Sequence, residues 1–155
     1  MTIPSRLTFV RNVWQHFMEY NGYDKFIIGK MTITDAIDGK VTCELPIERI
    51  HLNRVGSVHG GLLSTLVDIG GSLAICAKGM HATGVSTDLN VSFLNAAKEG
   101  DVMSMQDAEC VKLGKTLAFT IIDIKSKGNN KLIAQGRHTK YVALAHKDDK
   151  NIIKW

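Results

Sequence analysis

Residues 61 to 77 are an almost unbroken apolar run with a single charge, Asp68. A run of that length approaches the lower limit for a membrane span. Ser64, Thr65, Asp68, Gly70, Gly71 and Ser72 each add polar or helix-loosening cost in lipid. The remaining solution is a core helix buried on nearly every side, a rod of roughly 30 Å around which the chain must wrap. A lone carboxylate on such a helix is costly, and sequences keep one mainly when it is paired or does chemistry. Burial should also raise its pKa and place an acid limb in any rate it governs. His59-Gly60-Gly61 opens the same helix with unencumbered backbone N–H groups, which suit a developing negative charge. A carboxylate and an oxyanion donor on one helix point to acyl chemistry.

The flanking sequence supplies what could wrap such a rod. Leu7, Val10, Trp14 and Phe17 have helical spacing and predict an amphipathic helix over 7–20. Phe26 to Thr34 reads as a strand. Val41, Cys43, Leu45 and Ile47 alternate with polar residues, and Pro46 puts that strand near an edge. A polar link, Glu48 to Ser57, precedes the long helix, and Lys78-Gly79 stops it. Beyond it Val85 to Phe93 alternates, a strand begins at Gly100-Asp101 and breaks at Gly114, and Lys115 to Lys125 follows. Lys127-Gly128-Asn129-Asn130 then turns into Leu132 to Val142. The order predicts an α+β domain over 1–144, an antiparallel sheet covering one long helix, with 145–155 a loose charged tail.

Composition narrows the partners. Lys and Arg number 19 against 15 Asp and Glu, scattered rather than clustered, and aromatics are 6%. That suits an anionic small molecule and argues against nucleic acid. Cys43, Cys76 and Cys110 lie far apart with no CxxC or His-rich spacing, so neither zinc nor a disulfide framework is supported, and a reducing compartment fits. Pro4, Arg6, Arg11 and Trp14 interrupt any apolar leader, while the absence of acids before Glu19 is a weak mitochondrial cue. The expected location is cytoplasmic or mitochondrial.

The segment Asn53-Arg-Val-Gly-Ser-Val-His-Gly-Gly61, with Asp68 following, resembles the hotdog-fold thioesterases of the phenylacetate-pathway (PaaI-like) group, their eukaryotic acyl-coenzyme A thioesterases most of all. His51 to Gly56, Gly84 to Asn90, Gly114 to Thr120 and Lys131 to Lys140 carry the likeness in order, over roughly 25–142. The resemblance implies hydrolysis of acyl-CoA with no cofactor and no metal, in homodimers commonly paired into homotetramers with sites at the dimer interface. It makes Gly60 the backbone oxyanion donor and Asn53 a second polariser. It makes Asp68 the activator of water, Ser86 its assistant, and His59 a neighbour of the leaving group. Ile69-Gly70-Gly71 departs from the family pattern, which bears on acyl-chain preference. Arg54, Lys112, Lys115, Arg137 and Lys140 are the cations available for CoA phosphates.

Each residue has a plainer reading. Asp68 could be a structural carboxylate satisfied by Ser64, Thr65 or Ser72, and as a chemical group it could be base or nucleophile, the base being favoured. His59 could cap the helix, Gly60-Gly61 could be a tight turn, Asn53 could shape the turn before Gly56, and Ser86 falls on the polar, solvent side of its strand. A fatty-acid or acyl-CoA binder and an enoyl-CoA hydratase or dehydratase remain alternatives. Geometry adds one constraint. Nine residues separate His59 from Asp68, which sets them on opposite faces about 13 Å apart. Both can serve one carbonyl only if Asp68 meets His59 and Gly60 of another subunit.

Overall fold

The structure is a computed structural model and describes residues 4–153. Its elements run α1 (Arg6–Glu19), α2 (Tyr23–Ile28), β1 (Thr32–Ile37), β2 (Lys40–Pro46), α3 (Gly60–Cys76), β3 (Val85–Phe93), β4 (Val102–Leu113), β5 (Leu117–Ser126) and β6 (Leu132–Tyr141). Single 3₁₀ turns lie at Arg49–His51 and Ala145–Lys147. One six-stranded sheet, ordered β1-β2-β4-β5-β6-β3, is antiparallel at every pairing. It curls around α3, whose Leu66, Val67, Leu73, Ala74 and Ile75 are fully buried.

Two glycines set how closely the sheet grips the helix. A Cβ at Gly136 of β6 would lie 2.5 Å from Val67 Cγ1, and one at Gly71 of α3 would lie 2.7 Å from His138 Nδ1. The bare backbones let α3 and β6 approach until His138 reaches the Asp68 main chain. Gly136→Ala is expected to push them apart, and overpacking against β-branched Val67 should cost about 1–3 kcal/mol. Urea unfolding checks this: the midpoint should fall with an unchanged slope.

Four local expectations are corrected or refined. Residues 23–28 are helical where a strand from Phe26 was expected. Contiguous Phe26-Ile27-Ile28 fits either period; with Gly22 as N-cap and Asp24 in the first turn the segment forms α2, burying Ile28. Strand β2 lies near an edge as expected but is not the edge itself: it is second in the sheet, between β1 and β4, and Pro46 is its last residue. The long helix is not buried all round: Gly61 is exposed, and Ser64, Thr65 and Asp68 are half-buried. Finally, the tail is docked. Ile152 N–H donates to Gly79 O at 2.9 Å, and Ile152 and Ile153 pack on the core among their charged neighbours. Asp148 and Asn151 hold His81 through its ring and its backbone N–H.

α1 covers the sheet as its spacing predicts, burying Phe9, Val10, Val13 and Trp14, with Arg11 donating twice to Ile33 O. α2 follows and ties to α3 through Tyr23 Oη and Thr65 Oγ1, 2.9 Å apart. Between these helices and the β3 end of the sheet the half-open stripe of α3 faces an open cleft.

Candidate active site

That cleft, about 470 Å³, is lined by Asp24 of α2, Asp68 and Ser72 of α3, Thr83, Ser86 of β3 and Lys140 of β6, with Phe17, Tyr20 and Ile69 among its apolar walls. Asp68 is not the buried carboxylate expected from its apolar neighbours: its side chain is 47% exposed. The hydroxyls that might have satisfied it are occupied elsewhere. Ser64 donates to Gly60 O, Thr65 to Gly61 O, and Ser72 accepts from Lys140. Among the described residues no side chain or backbone N–H within hydrogen-bond distance donates to the Asp68 carboxylate. It stands free to take a proton from water.

Ser86 reaches the same cleft through a break in strand register. Simple alternation would set it with Asp88, Asn90 and Ser92 on the outer face. A bulge at Thr87 shifts the pairing from Ser86–Lys140 to Asp88–Thr139 and so reverses the phase. Ser86 therefore shares the helix-facing side with Leu89, Val91 and Phe93, whose partners His138, Gly136 and Ala134 are buried. Ser86 is exposed, as expected of a solvent-side serine, but it opens onto the cleft rather than the outer face.

His138 is the residue that the sequence reading missed. Its Nδ1 lies 3.2 Å from the Asp68 carbonyl O, which can only accept, so Nδ1 carries the hydrogen. Its Nε2 lies 2.8 Å from Ser86 Oγ. Burial pushes its pKa down, and the Lys140 charge adds to that, against the opposing pull of Asp68. The ring is therefore neutral, Nε2 accepts the Ser86 hydroxyl hydrogen, and its 3.7 Å approach to Asp68 Oδ1 is a contact rather than an ion pair. Small Ala134 and Gly136 alternating with Gln135 and Arg137 already set His138 and Lys140 on the buried face, a signal available in the sequence. Above the cluster, burial and then the Asp68 carboxylate raise the pKa of Asp24.

The other candidates gather at the opposite end of α3. His59 is the N-cap, its Nδ1 accepting from Gly61 N–H at 2.8 Å. Leu62 and Leu63 N–H both donate to His59 O. Among the described residues the Gly60 N–H is thus the first-turn donor left without an acceptor. Asn53 shapes its turn, with Oδ1 accepting from Val55 and Ser57 N–H, while its amide N–H₂ has no described acceptor. Gly60 and Asp68 are eight residues apart on one straight helix, about 12 Å along the axis. Within one chain Asp68 and Ser86 share the cleft, His59 and Gly60 adjoin at the start of α3, and Asn53 sits in the turn before it.

The five candidate phosphate cations do not converge. Arg54 lies beside Arg49 and Asn53 in a groove before α3. Lys112 and Lys115 are exposed at the β4–β5 turn, and Arg137 lies in a groove on the outer face of the sheet with Asn90 and Ile121. Lys140 is not a surface cation: it is 5% exposed, donating to Ser72 Oγ at 2.6 Å. Among the described residues no three His, Cys, Asp or Glu side chains converge as metal ligands do, and no helix is long and apolar enough to cross a membrane.

A sheet curled around one helix, a free carboxylate beside a hydroxyl, and an unpaired helix N-terminal N–H together define a fold and site suited to thioester hydrolysis. The thioesterase superfamily model matches residues 55–133, and the chain belongs to that superfamily of thioester hydrolases. Acyl-coenzyme A thioesterase 13 of Homo sapiens is 45% identical over 116 residues, 75% of this chain and 82% of that protein. Zebrafish thioesterase superfamily member 2 superposes with a TM-score of 0.80 at 41% identity, covering 87% of this chain and 96% of that one. The PaaI protein of the E. coli phenylacetic acid degradation operon shares the fold, with a TM-score of 0.71 at 24% identity over 86% of this chain and 94% of that one. The architecture is the hotdog fold that the sequence resemblance implies.

Proposed function

We propose that this protein hydrolyses acyl-CoA thioesters to the free acid and CoA, with each active site shared between two copies of the chain. The observation carrying this reading is the placement on α3 of a free carboxylate and a free N–H about 12 Å apart. In a homodimer with the two helices side by side, Gly60 and Asn53 of one subunit face Asp68 and Ser86 of the other. The long edge strand β3 supports such pairing, because every side chain along it except Val91 is exposed and its outer backbone edge is unpaired. Homodimers pairing further into tetramers would cover the outer sheet face, where Val111, Phe119 and Ile121 are exposed.

The chemistry follows from the atoms present. Gly60 N–H and the Asn53 amide polarise the thioester carbonyl, and the positive end of α3 favours the oxyanion. Asp68 takes a proton from water, which attacks the carbonyl carbon. Ser86 Oγ, whose own hydrogen is held by neutral His138, offers lone pairs that orient that water. Collapse of the tetrahedral intermediate expels the CoA thiolate, and Nε2–H of His59 stands near the leaving sulfur to donate a proton. Arg54, with Arg49 beside it, provides cations for the CoA phosphates close to Asn53, and Lys112, Lys115 and Arg137 are the further candidates. The relatives named acyl-coenzyme A thioesterase support the choice of CoA ester.

Thiol release from short, long and aromatic acyl-CoAs tests the reaction. Turnover on any of them is expected, whereas tight acyl-CoA binding without thiol release would make this a binding protein. The Ser86–His138 contact favours one second reading, Ser86 as nucleophile with His138 as base. Ser86→Ala separates the two: a water-orienting hydroxyl costs about tenfold in kcat, while loss of a nucleophile costs about 10³-fold or more.

A further inference from the structure

Lys140 is the only buried Lys or Arg among the described residues, and the chemistry above leaves it unused. It pairs across strands with Ser86, and its Nζ donates to Ser72 Oγ at 2.6 Å and to Thr83 Oγ1 at 3.4 Å. Two neutral hydroxyls compensate poorly for a desolvated charge, and among the described residues no carboxylate oxygen lies within ion-pair distance of it. An unbranched apolar side chain would fill the same space at lower cost. The ammonium must therefore act on something across the cleft.

The charged and titratable groups around that cleft are few. Asp68 faces it from α3, Asp24 from α2, His16 and Tyr20 from α1, and His138 stands next to Lys140 on the same face of β6, with Asp88 of β3 near enough to act on it. Burial depresses the Lys140 pKa and the Asp68 carboxylate opposes that. Asp24 is raised by burial and by Asp68. Lys140 and Asp68 line the same cleft, and the Ser72 hydroxyl that anchors Nζ lies one helical turn beyond Asp68 on α3.

We infer that Lys140 is a positioning residue for the hydrolysis, a fixed positive charge that keeps the Asp68 carboxylate ionised once substrate and the second subunit exclude water from the cleft. The inference rests on Asp68 being the base. In the single chain Asp68 is nearly half exposed and solvated. When an acyl thioester closes the site, the carboxylate loses that water, and a desolvated carboxylate takes up a proton. A protonated Asp68 cannot accept one from the attacking water. Lys140 is already desolvated and anchored, so its field strengthens at low dielectric without further reorganisation. Its charge also acts against protonation of His138, which keeps Nε2 an acceptor for Ser86.

The test is the pH dependence of kcat for the wild type, Lys140→Met, Lys140→Gln and Lys140→Arg, with Asp68→Asn alongside. Without the cation the Asp68 proton is harder to remove, so the acid limb should move to higher pH by about one unit. Lys140→Met should then lose about tenfold on the acid side and less than about threefold on the alkaline plateau. Lys140→Gln, which can still donate to Ser72, should behave in the same way and serves if the Met variant does not fold. Lys140→Arg, keeping the charge, should hold the limb at its wild-type position. A plateau that falls in both neutral variants with no movement of the limb would make Lys140 a structural plug and overturn the inference. Turnover surviving in Asp68→Asn would instead overturn the assignment of the base.

Discussion

Asp68→Asn is expected to fold like the wild type and to lose about 10²–10⁴-fold in kcat. The substitution is isosteric. The carboxylate accepts no hydrogen bond from a described residue, and its side chain is nearly half exposed, so little native structure depends on its charge. The His138 bond to this residue goes to the backbone O, which the substitution keeps. An amide cannot take the proton from water, so the loss should fall on kcat with KM changed by less than about threefold. Unfolding temperature and thiol-release kinetics on one acyl-CoA suffice as the measurement. A kcat within tenfold of the wild type would exclude Asp68 as the activator of water.

Gly60→Pro should cost about 10²–10³-fold in kcat, or roughly 3–4 kcal/mol of barrier. Proline removes the N–H proposed for the oxyanion, yet the position suits it. Residue 60 is the first of its helix, where a missing N–H breaks no helical bond. His59 has ψ 134°, the extended conformation that precedes proline comfortably. Its cap on Gly61 N–H stays in place. Gly60→Ala is the control: it keeps the N–H and adds a Cβ 3.3 Å from the exposed Phe93 ring, so it isolates crowding. Mixing the two inactive variants probes the shared site directly. A dimer of one Asp68→Asn and one Gly60→Pro subunit has both lesions in one site and none in the other. After random reassortment about a quarter of wild-type activity should return. No recovery in subunits shown to exchange would place both groups of a working site in one chain.

What the sequence made legible was set by period and by punctuation. The buried helix, with its glycine entry and its single acid, was readable because no other element tolerates such a run. Strands β2 and β3 showed their alternation, β5 and β6 showed through the turn between them, and the resemblance supplied the wrapping and the candidate site residues. Phe26-Ile27-Ile28 misled because three contiguous apolar residues carry no period. Asp68 misled in a different way: its apolar neighbours in sequence point into the core, while Asp68 itself opens onto a cleft that α1, α2, β3 and β6 close around it. Lys140 was read as a cation available for CoA phosphates, not as a buried one. The small residues alternating before it already marked its face as the inner one. The tail looked loose because its two isoleucines sit among charges, and nothing in the order of residues shows that Gly79 waits to receive them.

The bulge at Thr87 divides the strand into two registers that share no parity. Upstream of it even-numbered residues look toward the helix; downstream, odd-numbered residues do. Ser86 therefore reaches His138 because of how many residues lie between it and Leu89. Thr87 and Asp88 act as a spacer, and the Thr87 hydroxyl pins the bulge by donating to Thr139 O at 3.1 Å. A gap or an extra residue in that interval would turn the serine to the outer surface while leaving every residue of the motif present.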